Sequence, residues 1–219
     1  MSRRSYAQYC GLARALDLVG ERWTLLIVRD LALGPRRFTD LLAGLPGIGT
    51  SLLSERLRHL EDQGIARRVV ARRPASGVVY ELTDEGRDLA QAMSPLATWG
   101  AARLDADVEA ELRPEWVAYA LQASFRPAAA AGVHDCYEFR LEGVTLWALV
   151  DDGTLTVAQR RPRRPDFTLT TDVPTLAQLG SGRISPREAV ASGRARFRGD
   201  PEAGARALQV LGSGGDRPA

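Results

Sequence analysis

Four side chains in the first half of the chain have the types and spacing needed to read a nucleic acid. Ser51, Ser54, Glu55 and Arg58 follow an i, i+3, i+4, i+7 rule, so a helix through them carries all four on one face. Small hydroxyl side chains near a helix N-terminus let the backbone approach a groove, and a longer donor further along can reach base edges. Thr50 adds a hydroxyl and stands where it can cap that helix. Arg58 can pair bidentately with guanine or clamp a phosphate, and Glu55 can accept from cytosine N4. Arg36 and Arg37 upstream, and Arg72 and Arg73 downstream, are spaced to meet backbone phosphates. Taken alone, such a face is also what a solvated helix presents, so the neighbouring elements must decide.

Those neighbours favour DNA. Leu53, Leu57 and Leu60 form the buried stripe of the same helix and Gly64 ends it. Directly after it, residues 65–73 and 78–82 are β-rich runs around the turn Pro74-Ala75-Ser76-Gly77, a hairpin with Arg near its tip. Upstream, apolar spacing predicts helices over 11–19, 23–33 and 37–43. Gly34-Pro35 closes the second, and Phe38, Leu41 and Leu42 of the third face inward. Thr83 can cap a long helix over 84–103, with Leu89, Met93, Leu96 and Trp99 on one side and Pro95 kinking or interrupting it. Helix, turn, helix and hairpin in this order make a winged helix-turn-helix, a mainly α domain.

Charge agrees in its distribution more than in its total. All 29 basic residues are Arg, a compositional bias that weakens any count-based inference, but residues 1–104 carry net +4 while 105–219 carry net −2. A chain of 219 residues is comfortable for two domains. No apolar run approaches the roughly 20 residues of a membrane span. Met1-Ser2-Arg3-Arg4 lacks a signal core, so a cytoplasmic protein with no membrane partner is expected. Cys10 and Cys136, one in each half, make no disulfide framework.

The second half changes period. Residues 105–111 are acidic and look like a join. An amphipathic helix follows over 114–124, with Trp116, Val117, Ala120 and Leu121 as its apolar side, and then a Pro-Ala run that resembles a linker. Strands are predicted over 137–141, 144–150 and 154–159, separated by the turns Glu142-Gly143 and Asp151-Asp152-Gly153, and again over 167–171 and 194–198. Ser185-Pro186-Arg187-Glu188 is a capping box and Asp200-Pro201 a second helix start. The fold expected is α+β with an antiparallel sheet. The domains are then residues 1–104, a connecting segment 105–132, a second domain 133–212 and a disordered tail 213–219. His134-Asp135-Cys136 has triad residue types, but neighbours in a strand point to opposite faces. Neither a metal set nor a catalytic set emerges, so no enzyme and no cofactor is expected.

Several separately placed motifs now add up to a family likeness. Tyr9-Cys10-Gly11-Leu12, Leu16-Asp17-Leu18-Val19-Gly20-Glu21-Arg22-Trp23, Gly34-Pro35-Arg36-Arg37-Phe38, residues 52–64, Tyr80-Glu81-Leu82-Thr83-Asp84-Glu85-Gly86 and Trp99-Gly100 closely resemble the HxlR family of bacterial winged-helix regulators over about residues 6–104. Glu21-Arg22-Trp23 departs from the Gly-Lys-Trp common there. The resemblance implies a homodimer held by the N-terminal helix and the helix after the wing, reading a pseudo-palindromic operator. It also puts Cys10 where many such regulators place a cysteine that responds to oxidants or electrophiles; packing at the dimer contact is the other role open to it.

More loosely, Phe167 to Leu211 resembles the sterol carrier protein fold, which implies a small apolar or acyl ligand between sheet and helices. Phe139, Trp147, Leu149, Phe167, Leu176, Leu179 and Phe197 are candidate lining, with ordinary core as the alternative. The whole reads as a sequence-specific, dimeric transcriptional repressor with a ligand-binding second domain. The rival is an apolar-ligand carrier or enzyme whose helical half serves only association.

Overall fold

The computed structural model describes residues 5–71, 77–101, 103 and 112–212. The expected wing tip with Arg72 and Arg73, the acidic join 105–111 and the tail 213–219 lie outside the described residues. Contacts divide the chain into two compact units, Met1–Met93 and Ser94–Ala219.

In the first unit α1 (Gly11–Val19), α2 (Thr24–Ala32), α3 (Phe38–Gly44) and α4 (Thr50–Asp62) precede the hairpin β1 (Ala66–Ala71) and β2 (Gly77–Leu82), and α5 (Asp84–Ala92) closes it. Ile27, Val28 and Leu31 of α2, Leu41 of α3 and Leu53, Leu57 and Leu60 of α4 share one core, with Ile65 and Leu82 from the base of the hairpin. Phe38 and Leu42 pack against its edge. α2 is shorter at its start than its apolar pattern because Trp23 has φ +79°, outside helical backbone. Thr50 does not cap α4. Gly49 takes the cap position in extended backbone without a side-chain bond, and Thr50 is already the first helical residue. The far end follows the sequence: Gly64, at φ +69°, donates to Glu61 O and Ile65 donates to Leu60 O, a Schellman closure that glycine permits.

The hairpin is fixed at its base. Thr83 N–H donates to Ile65 O at 3.1 Å, Thr83 Oγ1 donates to Gly64 O at 2.5 Å, and Gly86 N–H donates back to Thr83 Oγ1 at 3.1 Å. A Cβ on Gly86 would lie 2.0 Å from Ile65 O, so only glycine allows α5 to sit this close. The helix expected over 84–103 is interrupted, as Pro95 suggested. α5 ends before Met93 and α6 (Ser94–Ala101) begins anew. Its apolar residues are accordingly split: Leu89 and Met93 pack on the first core, while Leu96 and Trp99 are exposed.

The second unit holds α7 (Pro114–Ser124), the strands β3 (Cys136–Leu141), β4 (Val144–Asp151), β5 (Thr154–Ala158), β6 (Phe167–Thr171) and β7 (Ala195–Gly199), and the helices α8 (Val173–Gly180), α9 (Pro186–Ala191) and α10 (Pro201–Leu211). The strand order is β5-β4-β3-β6-β7. The sheet is mixed, not antiparallel: β3 and β6 run parallel, because the chain crosses from the β5 edge to the far side of β3 instead of turning back in a hairpin. The first short turn is as expected, and the second is one residue shorter because Asp151 still belongs to β4. Glu142-Gly143 and Asp152-Gly153 all have positive φ, as a two-residue type I′ turn requires. On α7, Ala118 and Tyr119 are buried and Ala120 exposed, a shift of the apolar side from the expected one. The Pro-Ala run is not a linker: Pro127–Ala130 form a 3-10 turn, with Ala130 fully buried.

An ion pair ties the sheet to α10. Arg206 donates from Nε and Nη2 to the two oxygens of Asp135 at 2.7 and 3.0 Å, and the buried Tyr137 hydroxyl donates to the same carboxylate at 2.8 Å. Burial would raise the Asp135 pKa, but the bonds from Arg206 and Tyr137 outweigh it and hold the carboxyl below its ordinary range. A lowered carboxylate lends stability above its unfolded pKa of about 3.9 and loses it as pH falls through the folded value. Arg206→Met should therefore cost about 2 kcal/mol at neutral pH, a partly solvated case of a broken pair. In acid titrations followed by circular dichroism, the gap between variant and parent should close below about pH 4.

Candidate nucleic-acid interface

With Leu53, Leu57 and Leu60 buried, Thr50, Ser51, Ser54, Glu55 and Arg58 are left exposed together on α4. Arg58 has no ion-pair partner among the described residues and is free to contact a ligand. Glu55 is engaged: Arg56 Nη1 donates to its Oε1 at 2.9 Å while Arg56 Nη2 reaches Glu21 Oε2 at 3.3 Å. The Arg56 side chain is largely buried, so it acts as a fixed bridge between α4 and the segment before α2. His59 Nε2 lies 2.7 Å from Leu18 O, which requires the Nε2–H tautomer and makes His59 the donor, pinning α4 to the end of α1. Sequence reasoning missed Arg56, Glu21 and His59. Glu21 and Arg56 are 35 positions apart, and no local pattern pairs them.

Arg36 and the hairpin are joined by backbone. Arg36 N–H donates to Tyr80 O at 2.9 Å and Tyr80 N–H returns the bond at 2.8 Å, a bridge that sets the start of α3 against β2. Arg37 is exposed, and its N–H is held by the Asp40 carboxylate at 3.1 Å. On β1, Arg67 is paired across the strand with Glu81 at 2.7 Å, whereas Arg68 is exposed and free of any ion pair among the described residues. Arg68 is thus a hairpin cation that the sequence reading passed over. Strand alternation was the signal that could have separated it from Arg67.

Cys10 is exposed at the start of α1. The N–H groups of Ala13 and then Leu12 pull its thiol pKa below the ordinary value, although neither closes a full capping bond. The cause is the helix end and not Arg14. Cys136 is the reverse case, buried, with burial pushing its thiol up.

The seven residues marked as pocket lining do not meet in one place. In β3, β4, β6 and β7 the cross-strand pairs Phe139↔Leu146, Phe139↔Leu169 and Leu169↔Phe197 put Phe139, Phe167 and Phe197 on one sheet face. That face packs on α10, where the Phe167 ring fills the space a Cβ on Gly204 would need, and Phe167 stacks on Phe197 at 5.6 Å. Leu179 of α8 is buried and Leu176 half-buried. Trp147 and Leu149, one position out of phase, lie on the opposite face, Trp147 pairing with Glu138. Two cavities open on this unit, of about 310 and 590 Å³. Both are lined mainly by polar and Arg residues at opposite ends of β6 and β7, away from the aromatic face.

A helix-turn-helix whose exposed helix is followed by a β-hairpin defines a DNA-binding transcriptional regulator. Residues 18–108 match the HxlR-like helix-turn-helix family, and residues 119–211 match the SCP-2 sterol transfer family. The chain is 36% identical over 92 residues to YvaP of Bacillus subtilis, an uncharacterized HTH-type transcriptional regulator, covering 42% of this chain and 85% of YvaP. It is 47% identical over 89 residues to Rv3095 of Mycobacterium tuberculosis, another uncharacterized HTH-type regulator, covering 41% of this chain and 56% of that one. The crystal structure of PA1607 is 36% identical with a TM-score of 0.43, covering 49% of this chain and 74% of that one. The chain belongs to the HxlR-like family of helix-turn-helix transcriptional regulators and carries an SCP2-like domain after it. No helix among the described residues is long and apolar enough to cross a membrane.

The cysteine geometry makes a direct prediction. At neutral pH one thiol per chain, Cys10, should react quickly with an aromatic disulfide reagent and the second only after denaturation. Cys10→Ser should remove the fast phase and leave the slow one.

Proposed function

We propose that the protein is a cytoplasmic, homodimeric repressor that reads a pseudo-palindromic operator. In this reading α4 lies in the major groove and the hairpin lies along the backbone. The single observation behind it is the solvent-facing row Thr50, Ser51, Ser54 and Arg58 on a helix whose other side is core. Arg58 is then the base-reading residue, Arg36, Arg37 and Arg68 meet phosphates with Arg72 and Arg73 at the wing, and Glu55 tunes Arg56 more than it reads cytosine. Residues 1–104 would form the DNA-binding and dimerising domain.

A dimer is supported by exposed apolar side chains, in each unit taken by itself, that a monomer has no use for. Tyr6, Tyr9, Leu12 and Leu16 are exposed along α1 and its approach, as are Leu96 and Trp99 on α6. The SCP2 match supports a ligand-binding role for the second unit; a small apolar or acyl ligand on the face of Phe139, Phe167 and Phe197 would have to part that face from α10, on which it packs. Cys10, exposed with a lowered thiol, suits an oxidant or electrophile sensor whose modification changes DNA affinity.

Gel shifts on the protein's own upstream DNA test the first reading. Affinity should fall with salt at a log-log slope of about −0.9 per phosphate neutralised. Arg58→Ala should lose about 1 to 3 kcal/mol on operator and little on random DNA, while Arg68→Ala should weaken both alike. Equal losses for both variants on both DNAs would remove Arg58 from the groove. Light scattering tests the dimer: Leu12→Glu should give a monomer with unchanged circular dichroism.

A further inference from the structure

We infer that the second unit carries an oxyanion-binding site, for the carboxylate or phosphate group of a small ligand, at the end of the sheet where the β3–β4 turn meets the start of β7. The residues form one cross-strand row. Thr145 of β4 pairs with Arg140 of β3, Arg140 with Thr170 of β6, and Thr170 with Arg196 of β7. Paired residues point to the same side of a sheet, so two guanidinium and two hydroxyl groups share the face opposite to Phe139 and Phe197. A cavity of about 310 Å³ opens over that row, and Arg194 adds a third guanidinium to its wall.

The charges of this cavity are not balanced from within. Arg140 is paired with Glu138 at 2.9 Å, Arg194 donates to the neutral Gln178 at 3.0 Å, and Arg196 has no partner among the described residues. Glu142, on the rim, is the only acid in the lining, against three Arg. Strands lie about 4.8 Å apart, so Arg140 and Arg196 stand roughly 10 Å apart across Thr170, a span their side chains can close from both sides on one anion. The other cavity lacks this imbalance: Arg163 is taken by Asp166 at 3.1 Å and by His134 O at 2.8 Å, and Asp200 caps α10. The site does not depend on an apolar ligand or on DNA binding.

Titration calorimetry of the full chain with inorganic phosphate, and separately with acetate, against chloride at equal ionic strength tests it. At least one of the two should bind saturably at one per chain, and the tighter one names the headgroup. Arg196→Gln should weaken that binding about tenfold or more, the worth of one charge-assisted hydrogen bond. Thr170→Val should weaken it less. Arg198→Gln, on the same strand and face but outside the cavity, should leave it unchanged. All three positions are exposed, and unchanged circular dichroism would show that each variant folds. No saturable binding of either anion, or equal losses for Arg196→Gln and Arg198→Gln as a diffuse basic surface or a DNA contact would give, overturns the site.

Discussion

Burial of Leu53, Leu57 and Leu60 is the constraint on which the first unit turns. Each side chain is at most 1% exposed, and burying each stabilises the fold by about 2 kcal/mol. A rotation of α4 by one residue would expose part of that stripe, so its rotational setting is fixed by apolar packing. The outward direction of Ser51, Ser54 and Arg58 is a consequence of that packing. The side that could meet DNA is held in place by the side that cannot.

Polar contacts then refine what the core fixes. His59 binds Leu18 O and Arg56 spans Glu55 and Glu21, so α4 is tied at two points to the segment around the end of α1 and the start of α2. The Arg56 stem is mostly buried while both carboxylates it meets are exposed, so the bridge positions α4 more than it stabilises the fold. The hairpin is positioned by the same logic. Thr83 and the absent side chain of Gly86 bring α5 against Ile65, and the Arg36–Tyr80 bridge brings α3 against β2. The helix α4 and the hairpin therefore share one rigid support.

The second unit divides its labour by strand parity. Tyr137, Phe139, Leu141, Leu146, Ala148 and Leu169 face the buried side, and the alternate residues Glu138, Arg140, Trp147, Thr168 and Thr170 face the other. A one-residue shift of register would exchange these two sets. The buried side is anchored to α10 through Asp135, Tyr137 and Arg206, whereas the other side gathers Arg140, Arg196 and Arg198. An apolar and a polar surface thus come from a single sheet.

Local rules in the sequence determined much of this. The three-to-four spacing of the leucines, the Gly64 stop, the Thr83, Ser185 and Asp200 caps and the Glu142-Gly143 and Asp152-Gly153 turns are all short-range, and each matches the structure to within a residue because its physics is complete within a few residues. The HxlR and SCP2 likenesses came from the same kind of signal. What only the tertiary structure decided depends on residues far apart in the chain. The parallel pairing of β3 with β6 needs a crossover that no local pattern encodes. Which face of β4 is buried depends on the neighbouring strands, which put Trp147 on the face opposite to Phe139. The partners of Arg56, the lack of an ion pair at Arg68 and Arg196 among the described residues, and the row Thr145, Arg140, Thr170 and Arg196 arise where strands and helices from distant segments meet. Charge and hydrogen-bond partners are set by that meeting, and a one-dimensional spacing carries no record of it.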